Sequence, residues 1–189
     1  MMPKLRWLTI PAFSFLGFVT FTSSAGAQSF VEFAAGSSVH PGVNGAGASY
    51  GHSLTGRASF GQPVRPGLSI RLDADFTQFD NTVQFYPPCA PPGCTHPSYY
   101  TQSTFLAGLS VNALANLDSK GVFYVVGGGG LGVGGDDVDT GLQLRMSGGV
   151  GVAIPAGRLR IVAEARCLGL IGATPNGSWL IPLTVGIRY

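Results

Sequence analysis

The sequence predicts an all-β chain folded as an eight-stranded antiparallel up-and-down transmembrane β-barrel. Three observations predict it. Strand-length segments alternate apolar and polar residues between turn signals, and long helical periodicity is absent. Charged residues are 11% of the chain, far below the roughly 25% of ordinary soluble domains. Mean hydropathy is positive, yet no second long apolar run follows the N-terminal one, which excludes a bundle of membrane helices. Apolar residues spread over alternate positions are what a membrane barrel requires.

The N-terminus carries Lys4 and Arg6, then a mostly apolar stretch over 7–21 interrupted by Pro11 and Ser14, then Ala25-Gly26-Ala27. A basic start, apolar middle and small-residue end predict a secretory signal peptide over 1–27, cleaved after Ala27. The barrel domain is then 28–189, about 162 residues, enough for one domain. With Lys4 and Arg6 set aside, nine basic residues face nine acidic ones. That balance offers no basic patch for nucleic acid.

The strands are expected in order at 29–39, 48–60, 68 to about 79 or beyond, 100–117, 122–133, 140–154, 159–171 and 178–189. The third is clearest: Leu68, Ile70, Leu72, Ala74 and Phe76 share one face, and Ser69, Arg71, Asp73, Asp75 and Thr77 the other. Only two opposite faces of a pleated strand give that period of two. The seventh repeats it, with Leu159, Ile161, Ala163, Ala165 and Cys167 opposing Arg160, Glu164 and Arg166. The fifth is apolar or Gly on both faces, and its four-Gly run 127–130 lacks the Lys-Ser/Thr of a phosphate loop. Glycine there is read as serving curvature or close packing in a narrow barrel.

Connections at 61–67, 118–121 and 155–158 are short, whereas those at 40–47, 80–99, 134–139 and 172–177 are mostly longer. With both termini at one end, eight strands need three turns there and four loops at the other, the asymmetry of membrane barrels. A soluble lipocalin-like barrel would alternate in the same way with its apolar face inward. The leader, the scarce charge, the uneven loops and the last strand favour the opposite direction. Leu183-Thr184-Val185-Gly186-Ile187-Arg188-Tyr189 alternates without a break and ends on an aromatic ring. Trp179 and Tyr189 lie on one face ten residues apart, ~33 Å along a strand. A tilt of ~40° projects this to ~25 Å, the height of the apolar band between aromatic girdles. Tyr99 and Tyr100 are expected in the girdle at the loop end.

These features together resemble the small eight-stranded outer-membrane β-barrel family, of the OmpA/OmpX-like type, over the whole mature chain. The resemblance implies residence in the bacterial outer membrane, contact with outer-membrane lipid and lipopolysaccharide, and a monomer. The final strand resembles the signal read by the barrel assembly machinery, with Gly186, Ile187 and Tyr189 as the matching residues. Because the chain ends with that strand, no soluble periplasmic domain is expected.

If apolar faces meet lipid, polar faces meet inside. The expected interior charges are Glu32, Asp73, Asp75 and Glu164 with Arg57, Arg71, Arg145, Arg160, Arg166 and Arg188. Isolated buried charges are very costly, so these are expected to pair as a solid polar core rather than a gated pore. Register is unknown from sequence, so no pairs are assigned. Cys89 and Cys94 flank Ala-Pro-Pro-Gly in the longest loop and are expected to form a disulfide, given an oxidising compartment. Cys167 is expected on the lipid face as a small apolar residue. Asp136, Asp137 and Asp139 form a solvated loop cluster without EF-hand spacing. His40, His52 with Ser53, and His96 do not assemble into a nucleophile, base and acid. The sequence therefore reads as a non-enzyme without cofactor or metal, with a structural or surface-interaction role. A narrow conduit is the alternative, and lipid A modification the third reading.

Overall fold

The computed structural model describes residues 28–39, 53–85, 98–135, 140–172 and 178–189; the side chains of 80–85, 98–102 and 178 fall outside that description. The leader, Cys89, Cys94, the three histidines, Asp136, Asp137 and Asp139 and the side chains of Tyr99 and Tyr100 all lie outside it.

Eight strands form a closed antiparallel barrel, each paired with its sequence neighbours. They are β1 (Phe30–Val39), β2 (Ser53–Arg65), β3 (Leu68–Phe85), β4 (Ser98–Asn116), β5 (Phe123–Gly135), β6 (Thr140–Ala156), β7 (Leu159–Ile171) and β8 (Ser178–Arg188). β1 pairs with β8 from Glu32↔Arg188 to Val39↔Ile181. Below that ladder, Val31 and Tyr189 exchange both backbone hydrogen bonds, at 3.0 and 2.9 Å. Closure leaves no open sheet edge, which a lipid environment forbids because it offers no partner for free N–H and C=O groups.

Alternation sets two surfaces of opposite character. Outward positions carry large apolar side chains, among them Phe33, Leu72, Leu109 (59% exposed), Val150 (58%) and Val185. Inward positions carry the buried charges. That is a water-soluble barrel turned inside out, matched to a hydrocarbon surrounding.

The interior is layered. At the turn end Phe30 packs against Leu114, Tyr124, Val126, Ala153 and Val162. At the loop end Leu106, Leu168 and Leu180 pack with Phe79 and Leu170. The charged side chains fill the space between.

β2 ends later than the sequence expectation, and β3 takes the longer of the extents expected for it. β2 runs on to Arg65, because Gly61, Gln62 and Pro63 continue to pair with Arg71, Ile70 and Ser69. Pro63 fits because β1 stops pairing at Gly61, so its missing N–H falls on an unpaired edge. The turn shrinks to Pro66-Gly67, with Gly67 at φ 77°; Pro followed by Gly in the left-handed region is the signature of a type II turn. β3 continues to Phe85, paired with β4 down to Phe85↔Ser98. Among the described residues β2 pairs with β3 as far as Ser53↔Phe79. Residues 80–85 and 98–99 of the segment read as a long loop are therefore paired strand, with Thr82, Val83, Phe85 and Tyr99 among them.

Inward glycines make room for large neighbours. A Cβ at Gly151 would overlap the Tyr124 ring, whereas one at outward Gly148, three positions earlier on β6, would meet nothing within 4 Å. Gly151→Val is expected to lower stability by about 1–3 kcal/mol through overpacking. Gly148→Ala is expected to stay within about 0.5 kcal/mol. Equilibrium urea unfolding in lipid vesicles compares the two, and equal effects would contradict the inward placement of Gly151.

Candidate functional site

The barrel wall turns one residue in two toward the lumen, and nine of the ten ionisable residues expected inside meet there in ion pairs. Glu32 on β1 accepts from Arg57 Nη2 at 2.5 Å, from Arg71 Nη1 at 3.3 Å, and from Arg188 Nε and Nη2 at 2.9 and 2.7 Å. Glu164 on β7 accepts from Arg57 Nη1 at 2.6 Å and from both terminal nitrogens of Arg71, at 3.0 and 3.1 Å. Arg166 Nε also donates to Glu164, while its Nη2 reaches Asp73 Oδ2 at 2.6 Å. Arg71 Nε lies 2.8 Å from Asp73 Oδ1, close enough for an ion pair but not aligned as a hydrogen bond.

Neutral side chains extend the network. Asn112 Nδ2 donates to Asp73 at 2.8 Å, and Ser147 donates to Asn112 Oδ1 at 2.8 Å. Tyr124 donates its hydroxyl to Glu164 at 2.7 Å. The Arg188 guanidinium lies over the Phe30 ring, 4.4 Å from its centroid, and 5.2 Å from that of Tyr124. From Glu32 on β1 to Arg188 on β8, one connected set of bonds includes a side chain from every strand. Burying this many charges costs free energy that only full pairing offsets. The set fixes how the strands sit about the lumen.

Arg145 and Asp75 form a separate pair at 2.5 Å, toward the loop end. A ladder of hydroxyls stands beside it, Ser38 to Thr55 at 2.5 Å and Thr55 to Thr77 at 3.0 Å. Arg160 is the exception among the ten. It shares the inward face of β7 but lies at the turn end, where Nη1 donates to Gly121 O at 3.0 Å. Its height, not its face, removes it from the network. Tyr124 and Asn112 were not read from the sequence as interior partners. Their signal was their place in the alternation, Asn112 two residues from Ser110 and Leu114 on the inward face of β4.

Trp179 (58% exposed) and Tyr189 (75%) stand on the outer face, as do Ile187 and Cys167. Gly186 faces inward, where a Cβ would overlap Phe33 O on β1. Each interior carboxylate is engaged by at least one guanidinium. Among the described residues no group of three His, Cys, Asp or Glu side chains is placed to hold a metal. The arrangement can pin strands; it presents no unengaged carboxylate beside a nucleophile.

The architecture matches that of Neisserial surface protein A, with a TM-score of 0.51 and 18% identity over 86% of this chain and 97% of that one. The fold is that of a small outer-membrane β-barrel. Two further structures of this kind align less closely. Ail, the attachment invasion locus protein of Yersinia pestis, solved with a heparin analogue, gives 0.49 and 9% identity over 86% of this chain and 97% of its own. The N-terminal barrel of Pseudomonas aeruginosa OprF gives 0.42 and 13% over 86% and 99%. No protein-family model and no curated protein matches the chain.

Removing one centre of the network tests its weight. Glu164→Leu leaves Arg57, Arg71, Arg166 and Tyr124 short of an acceptor and is expected to cost about 3–5 kcal/mol, as for a broken buried pair. Arg145→Leu combined with Asp75→Leu removes the separate pair together and is expected to cost clearly less. Urea unfolding of both variants in the same vesicles checks the order; a reversed order would show that Glu164 is not the centre.

Proposed function

We propose that the protein is an integral outer-membrane barrel whose body is a sealed scaffold and whose loop end carries a surface-interaction role. The observation that carries this reading is the filled interior. A charged network joins all eight strands, with an apolar cluster on each side of it. Among the described residues a lumen cavity beside the network measures about 30 Å³, room for a water molecule or two. A conduit for small molecules needs a continuous path, and these layers stand across it.

The distribution of charge supports the orientation. Exposed cations Arg65, Lys120 and Arg158 stand at the turn end. The connecting segments at the other end, 40–52, 86–97, 136–139 and 173–177, contain neither Lys nor Arg, and their acids are Asp136, Asp137 and Asp139. Cations at the turn end suit anionic phospholipid headgroups on the periplasmic side. Acidic loop residues suit an outer surface where divalent ions bridge them to lipopolysaccharide phosphates. The Cys89–Cys94 disulfide belongs to this surface, where it would close the longest loop in an oxidising compartment. Neisserial surface protein A is, by its name, a surface protein, and a like placement here is part of the proposal. Secretion through a leader ending at Ala27, and insertion through the last strand by the assembly machinery, complete the reading.

Two measurements test it together. The protein is expected in the outer-membrane fraction, with unboiled and boiled samples migrating differently on a gel, and planar bilayers are expected to show no conductance steps. Recovery from the soluble periplasm without a gel shift would overturn the membrane reading. Reproducible stepwise conductance would replace the sealed scaffold with a channel.

A further inference from the structure

Arg145 is only 2% exposed, yet among the described residues its Nε and Nη1 have no hydrogen-bond acceptor. Its Nη2 alone is engaged, by Asp75. The wall is cut back to hold it there. A Cβ at Gly108 would overlap Arg145 Nη1, and one at Gly132 would come within 2.7 Å of its Cδ. Arg57 Nε is likewise buried without an acceptor. Both arginines line the same cavity of about 30 Å³, with Arg166, Asp75, Thr55 and Thr77 among the other walls. Three arginines and four hydroxyl side chains, Ser110 and Thr184 included, thus line one cavity with a single carboxylate.

The interior as a whole carries the same imbalance. Among the described residues Arg57, Arg71, Arg145, Arg166 and Arg188 oppose Glu32, Asp73, Asp75 and Glu164, an excess of one positive charge. A net buried charge is costly in a low-dielectric interior. A water molecule would satisfy the open N–H groups but leave the excess charge in place. A monovalent anion does both. A volume of about 30 Å³ suits a monatomic ion better than a polyatomic one.

We propose that the lumen holds one halide-sized monovalent anion, in physiological terms chloride, between Arg145 and Arg57. The Asp75 carboxylate is the local competitor for the same donors. Removing its charge should therefore tighten anion binding, while removing Arg145 should abolish it.

The test uses the barrel refolded in detergent micelles and in lipid vesicles. Crystals grown in sodium bromide are expected to show an anomalous peak in the cavity, in contact with Arg145. Urea unfolding is compared in sodium chloride and sodium gluconate at equal ionic strength, which removes general screening as a cause. At chloride ten times above Kd, the folding equilibrium is expected to shift about tenfold toward the folded barrel relative to gluconate. Arg145→Met is expected to lose both the peak and the shift, and Asp75→Asn to reach the same shift at lower chloride. Should Arg145→Met fail to fold, the wild-type crystals and Asp75→Asn carry the test. Bromide crystals without an anomalous peak in the cavity, or equal stability in chloride and gluconate, would overturn the proposal.

Discussion

Glu32 and Glu164 share the guanidinium groups of Arg57 and Arg71 at the centre of the barrel. Neither carboxylate has bulk water to fall back on, and the surrounding wall is sheathed in hydrocarbon-facing side chains. Charges placed there are tolerable only when each finds partners. The strands must therefore close in the one register that brings β1, β2, β3, β7 and β8 around the same four side chains. The seam shows the constraint directly. Glu32 and Arg188 are backbone partners across β1 and β8, and their side chains form an ion pair at 2.7 Å just inside that junction. Pairing of charge and closure of the sheet are one event in this architecture.

The rest of the structure adapts to that centre. Large polar side chains in a narrow barrel need space, and glycine supplies it at inward positions: Gly151 beside Tyr124, and Gly108 and Gly132 beside Arg145. The glycine run of β5 divides by parity. Gly128 and Gly130 point inward, where a Cβ would overlap the β4 backbone at Val111 and Leu109, while Gly127 and Gly129 have backbone carbonyls of β6 as nearest neighbours. Close approach of β4 and β5 thus accounts for the inward pair. The apolar clusters at the two ends keep the charged layer from opening to either side. Side chains from every strand fill the barrel at mid-height.

Much of this was legible in the chain. The period of two in β3 and β7 names the faces, and β7 occupies 159–171 as the pattern requires. Facing direction follows from the leader, the scarce charge, the uneven loops and the last strand taken together, since so few charges cannot coat a soluble surface. The pairs themselves were not legible, because register is set by contacts far apart in sequence; Arg57 and Glu164 are 107 residues apart. Arg160 shows the matching limit, as alternation gives a residue's face but not its height along the barrel. Tyr124 escaped notice because β5 is apolar on both faces, and an amphipathic ring there reads as one more hydrophobe. Pro63 misplaced the end of β2 because proline signals a turn unless the neighbouring strand has already stopped.

A double-mutant cycle on Glu164 and Arg71 tests the central claim most directly. The two side chains make a two-bonded pair with no exposure to solvent. Unfolding free energies in lipid vesicles for the wild type, Glu164→Gln, Arg71→Gln and the double variant give their coupling. A buried pair that sets the register should couple by about 2 kcal/mol or more. Losses that add to within about 0.5 kcal/mol would show that the two residues act independently, and that the network does not hold the barrel.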